Sequence, residues 1–360
     1  MVAIARRRGR IRAITLCLAV LSMAAGVHGG LLRLGFDLPE GPRLADSHGP
    51  LMICGMFGTL IALERAVALG RGWAYLGPAA LGLGGLALLA GLPGMLPAGL
   101  FVIGAFAFLA TLVTIFSLQR AVFTLVLCIG ALGLAIGNIM LAAGAPFGSF
   151  VGFWLIFLIS TIAAERLELS RVLSPPPGAL AAFVAIVAVF VVGAGWGVFE
   201  PPGRSLAGAG LLGMTAWLAR YDVAMRTVRM RGQPRFMAAA MLAGYGWLVV
   251  AGLFLLLTGG AAFDYDLVLH AVFIGFVLSM VFGHALIIFP GITGVVLAYS
   301  PWLYLPLALL HAAVAMRVVG DVLELAPLRL ASGTVTVAAL LGFTATLALA
   351  ARRSRSNAAA

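Results

Sequence analysis

Five histidines carry most of the chemistry this sequence can offer: His28, His48, His270, His284 and His311. Each falls inside or at the edge of a long apolar run, where an ionisable side chain is costly and marks a candidate site by default. Neutral imidazole is a ligand for haem iron and for copper, and a lipid-walled cavity can hold either metal. The competing role for each ring is a hydrogen bond to a backbone carbonyl or a helix cap. His270 and His284 are 14 residues apart, close to four helical turns. That spacing predicts a shared helix face, with about 21 Å between them along the axis.

A second pattern combines His48 with Met52 and Met56 at i, i+4 and i+8, a stripe along one helix face. Imidazole and thioether together suit Cu(I). The chain has 13 methionines, however, and a methionine in an apolar run ordinarily packs as an adaptable hydrophobe. Cys17, Cys54 and Cys128 are odd in number and form no CxxC pair, so neither a disulfide framework nor a metal knuckle is predicted. No phosphate-cradling glycine loop, HExxH or GxSxG occurs, which leaves nucleotide and hydrolase chemistry without a footing. Glu64, Arg65, Glu165, Arg166 and Glu168 fall at the inner ends of two apolar runs. Snorkelling and local ion pairs account for them there, with proton entry as the alternative. Asn138 lies within a run and is expected to bond between helices.

The elements that must position these residues follow from composition. The 360 residues are 63% hydrophobic and 10% charged, with a mean hydropathy of +1.13. A soluble domain is about half apolar and about a quarter charged, so this chain cannot cover a water-facing surface. Disorder is excluded by the same hydrophobicity. The expectation is an all-α, polytopic membrane protein. Apolar runs at 13–32, 50–70, 74–94, 98–119, 121–144, 149–169, 178–199, 205–221, 236–258, 267–289, 297–319 and 330–351 predict about 12 transmembrane helices.

Charge placement sets the orientation. All 23 basic side chains are Arg. With both termini cytoplasmic, only Arg33, Arg43, Arg204, Arg317 and Arg329 lie outside and the other 18 lie inside, as the positive-inside rule requires. Asp37, Glu40, Asp46, Glu200, Asp264, Asp266, Asp321 and Glu324 lean outward. The net charge of +11 therefore reads as topology, with no nucleic-acid partner. Residues 1–12 form a basic cytoplasmic N-terminus ahead of a retained first span, and 352–360 form a cytoplasmic tail. The whole of 1–360 is expected to be a single transmembrane domain in the lipid bilayer. The basic loop at 220–236 is expected to touch anionic lipid. This topology gathers His28, His48 and His270 near the outer side, with His284 in the inner half and His311 near the middle.

The stretches AGYGWLVVAGLFLLL, DLVLHAVFIGFVLSMVFGHALIIFPG and HAAVAMRVVG resemble the C-terminal half of the NnrS family. In that family a Gly-Tyr-x-Trp-Leu span precedes a Leu-His-Ala span ending in Gly-His, and an Ala-rich span with Arg-Val follows. ADSHGPLMICGMFG is similar to the family's early His-bearing span. NnrS proteins are twelve-span bacterial membrane proteins associated with haem, with copper and with the response to nitric oxide. The resemblance implies a cofactor held at the matching positions His48, His270 and His284, with Arg317 as a weaker match. The chain departs from the pattern after His284, where Ala-Leu-Ile-Ile replaces polar residues. It also has one His near the second span where the family often shows two.

A more distant likeness is to the haem–copper oxidase subunit I scaffold, whose low-spin haem ligands come from spans 2 and 10, where His48 and His270 fall. The sixth and seventh runs here contain no His, so that family's copper site and its gas reduction are not implied. The spacing of His270 and His284 also resembles the two-haem helices of the cytochrome b family, which need a second helix with a similar pair. None exists here. The expectation is thus an inner-membrane haem protein, with copper as a second candidate metal, acting in nitric oxide or related stress response. It would bind a diatomic gas or transfer electrons to a redox partner, through His48 and His270 with His28 assisting. The rivals are a secondary transporter, which calls for broken helices and paired polar residues at mid-membrane, and a cofactor-free assembly factor.

Overall fold

A chain this apolar must satisfy its backbone hydrogen bonds internally, which leaves helices or a closed barrel. The computed structural model describes residues 2–39, 41–259 and 264–359, with side chains at 9–39, 43–259 and 265–354. Glu40, together with the side chains of Arg6, Arg7, Arg8, Asp264 and Arg355, lies outside the described residues. Every regular element among the described residues is helical.

Among the described residues eleven helices are long and apolar enough to cross a membrane. The first seven are α1 (Gly9–Leu34), α2 (Arg43–Leu69), α3 (Gly72–Leu89), α4 (Met95–Leu118), α5 (Val122–Ala142), α6 (Phe147–Leu173) and α7 (Pro177–Gly197). After α8 (Gly203–Tyr221) come α9 (Gln233–Leu257), α10 (Tyr265–Thr293), α11 (Pro301–Val322) and α12 (Ala326–Ser354). The helix α8 coincides with the eighth expected run and has 19 residues, enough for about 28 Å. Its composition is what sets it apart, since Arg204 and Arg220 flank a stretch rich in Gly and Ala. Large apolar side chains stand more than half exposed on the outer faces, among them Ile103, Val192, Leu341 and Leu349. Water would not tolerate such a surface, and lipid does. The protein is a multi-pass, all-helical membrane protein.

The chain divides into two compact units, Met1–Ala164 with Gly291–Thr293, and Glu165–Pro290 with Gly294–Ala360. In the first, α1 packs on α2 and α3, and α4 and α5 follow in sequence. Small residues set the spacing. A Cβ on Gly29 of α1 would collide with the Leu44 carbonyl, and one on Gly133 of α5 would lie 2.7 Å from the Phe153 carbonyl. In the second unit α7, α8 and α9 pack in succession, α9 meets α10, and α11 pairs with α12. Phe282 stacks on Phe343 with centroids 3.8 Å apart, tying α10 to α12.

Among the described residues each unit contains one helix with a π-helical stretch. Leu51–Gly58 in α2 and Ala271–Leu278 in α10 are π-helical, each eight residues long. The wider π winding is rare and concentrates at functional sites. In α2 it follows Pro50, whose missing N–H and bulky ring oppose the ordinary i→i−4 pattern. In α10 it begins directly after His270. A π stretch holds more residues per turn than an α-helix, so the two ends of α10 are rotated against each other relative to unbroken α winding. This corrects the expected common face of His270 and His284.

Candidate functional site

In the first unit the glycines of α1 make room for the imidazole of His48. A Cβ on Gly30 would lie 2.9 Å from its Cε1. The ring's Nδ1 donates to the Gly26 carbonyl across the helix pair at 2.7 Å. A carbonyl can only accept, so that bond assigns a proton to Nδ1. Met52 also faces α1, with its sulfur 2.7 Å from where a Cβ on Gly26 would stand. Met56 is buried in the core. His28 is turned elsewhere: at about 100° per residue it lies on the side of α1 away from Gly26 and Gly30. Its Nε2 donates to the Pro39 carbonyl at 2.8 Å.

Deeper in the same unit, Asn138 of α5 acts as the expected interhelical bond. Its Oδ1 accepts from Cys54 Sγ and from Trp154 Nε1, both at 3.0 Å, and its Nδ2 donates to the Phe101 carbonyl at 3.0 Å. One amide thus joins α2, α4, α5 and α6, and it accounts for Cys54 without any metal.

In the second unit His270 sits at the start of the π stretch of α10. Its Nδ1 donates to the Asp266 carbonyl at 2.8 Å and lies 3.2 Å from the Asp266 carboxylate. The other carboxylate oxygen accepts from Arg317 Nε of α11 at 2.5 Å. Arg317 lies 3.6 Å from Asp321, which is itself 4.0 Å from Arg329 of α12. His270 is therefore backed by a carboxylate that is itself held by an arginine.

The other two histidines are occupied differently. His284 donates from Nδ1 to the Met280 carbonyl at 2.8 Å, and its Nε2 accepts from Arg166 Nη2 at 3.0 Å. Arg166 is 4% exposed, and its Nη1 points at the sulfur of Met241 at 2.9 Å. The expectation that Arg166 snorkels to the interface is thus corrected, because a histidine and a methionine draw it inward. His311 accepts from Trp247 Nε1 at its Nδ1, 2.9 Å away. Its Nε2 faces Ser279 Oγ at 3.3 Å, and that hydroxyl donates to the Ala240 carbonyl at 2.7 Å. Trp247 in turn packs against Gly275 in the π stretch, where a Cβ would strike its indole. Nearby Tyr245 donates to Asp222 at 2.9 Å. Sequence reading missed Trp247, Ser279, Tyr245 and Asp222 as partners; the buried Trp and Tyr, each with a polar tip, were the available signal.

A family model covers nearly the whole chain: residues 12–352 match the Domain of unknown function (DUF8744). The chain belongs to that family. No curated protein matches it. Family membership assigns no ligand, so any cofactor has to be judged on the donor atoms. Among the described residues no three His, Cys, Asp or Glu side chains group to hold a metal ion. A haem needs fewer protein ligands, and a ligating histidine ordinarily donates its second ring nitrogen to a carbonyl or carboxylate. His48 and His270 meet that requirement, the latter twice over. At His284 and His311 a lone pair already accepts from Arg166 or Trp247, so ligation through those nitrogens requires that donor to leave.

Proposed function

We propose that this chain is a twelve-span bacterial inner-membrane haem protein of the NnrS-like kind, with both termini in the cytoplasm. Its role is in nitric oxide or related stress response, by binding a diatomic gas or by electron transfer to a redox partner. His48 in the first unit and His270 in the second are each a candidate haem ligand within its own unit, and His28, His284 and His311 are engaged in hydrogen bonding. The observation that carries the reading is the shared setting of those two rings. Each lies just before a π-helical stretch of a membrane helix, with Nδ1 donating to a backbone carbonyl. Copper at His48, Met52 and Met56 is retained as a second, separable part of the proposal.

The test is the absorption spectrum of the purified full chain after haem-supplemented expression. A Soret band is expected in the wild type, and it is lost in His48→Ala and in His270→Ala. His284→Ala and His311→Ala keep it. A chain that stays colourless, or a band that survives both of the first two substitutions, overturns the reading.

One feature favours a secondary transporter as the second reading. The buried Arg166–His284 pair lies in a unit whose α10 is interrupted, and polar residues beside irregular helix are what a transport site requires. A colourless protein whose folding is intact in His284→Ala would favour that alternative.

A further inference from the structure

The start of α11 and the end of α12 enclose a groove of about 320 Å³ that the haem reading does not use. Its lining changes character along its length. At one end are Tyr299, Trp302 and Arg353, and at the other are Leu305, Leu309 and Gly342. From Gly342 to Arg353 the α12 wall is 11 residues, or about 16 Å. The volume is that of about ten water-sized groups, which suits a length of acyl chain. Gly342 leaves the deep end open, since a Cβ there would meet nothing closer than Pro306 at 3.7 Å.

The occupant follows from the two ends together. Trp302 is 69% exposed and Leu305 57%, and α12 is the least buried of the candidate spans, at 17%. This face therefore meets lipid directly. Aromatic rings at one end of a membrane helix mark the headgroup level. Arg353, beside Arg352, adds positive charge at that level, the kind of side chain that binds phosphate by charge-assisted hydrogen bonds. We infer that the α11–α12 groove is a binding site for one anionic phospholipid, its phosphate at Arg353 and an acyl chain running past Leu305 and Leu309 to Gly342. The proposal does not depend on haem.

Native mass spectrometry of the detergent-purified full chain, with phosphatidylglycerol or phosphatidylcholine added, tests it. One phosphatidylglycerol should be retained in preference to phosphatidylcholine. Arg353→Gln, on the exposed end of α12, should reduce that preference about fivefold, the effect of one arginine at an anionic surface. Gly342→Leu should fill the deep end and abolish retention, while Gly342→Ala should keep it. Equal binding of the two lipids by the wild type overturns the proposal. So does unchanged retention in Arg353→Gln, which decides the matter even if Gly342→Leu misfolds. Displacement by millimolar inorganic phosphate would show that the chain does not enter the groove and would also overturn it. A dimer mass in place of a lipid adduct, which would put a second copy on this face, does the same.

Discussion

A histidine that ligates a metal and one that braces a helix differ in what each ring nitrogen already does. His311 has both nitrogens spoken for, by Trp247 and Ser279, and His284 has both engaged by Arg166 and Met280. His48 and His270 keep Nδ1 on a carbonyl, the posture of a ligating ring. Asp266 and Arg317 then act as positioning residues for His270. Arg317→Gln should lower haem affinity about 10- to 100-fold in a spectroscopic titration, the usual cost of losing such an outer partner, while Arg317→Lys recovers part of it. An unchanged affinity would make the Arg317–Asp266 pair a helix contact only. If Met52 and Met56 join His48 in holding Cu(I), replacing both with Leu should remove copper and leave the haem spectrum intact. Unchanged metal content would assign them to packing, where Met52 meets Gly26 and Met56 is core.

The helices work by close approach, and their contacts are where stability can be tested. Asn138 joins four helices through three hydrogen bonds, each between groups that lipid and packed side chains cannot satisfy. Asn138→Leu removes all three and leaves the Trp154 N–H and the Cys54 S–H without their acceptor. It should cost about 1–2 kcal/mol, the range for interhelical hydrogen bonds in membranes, read as a lower unfolding midpoint in detergent. An unchanged midpoint would show that these bonds contribute nothing net. The π stretches belong to the same scale. Pro50 was visible in α2 as a residue that disturbs helical winding, whereas nothing in the stretch around Gly275 announced the π winding of α10. The predicted shared face of His270 and His284 failed for that reason, because it assumed uniform α-helical rotation.

Across the whole chain the count of crossings turns on α8, the one helix of membrane length whose composition falls short. If it crosses, residue 45 faces the periplasm and residue 230 the cytoplasm. A membrane-impermeant thiol reagent should then label Ala45→Cys in intact cells, but Met230→Cys only after the cells are opened. Labelling of both in intact cells would leave α8 on one side and reduce the crossings to eleven.

What the sequence determined by itself is everything that a window of about twenty residues can decide. Helical membrane character and the positions of the runs both depend on local hydropathy and charge, which add up along the chain. The interhelical role of Asn138 was legible for the same reason, since a lone amide in an apolar run has few other uses. The tertiary structure alone decided which partner each polar group meets. Arg166 and His284 are 118 positions apart, and Trp247 and His311 are 64. No local pattern links them. A buried donor must find an acceptor, but which one it finds depends on how the helices pack, and only the fold brings those rings within 3 Å.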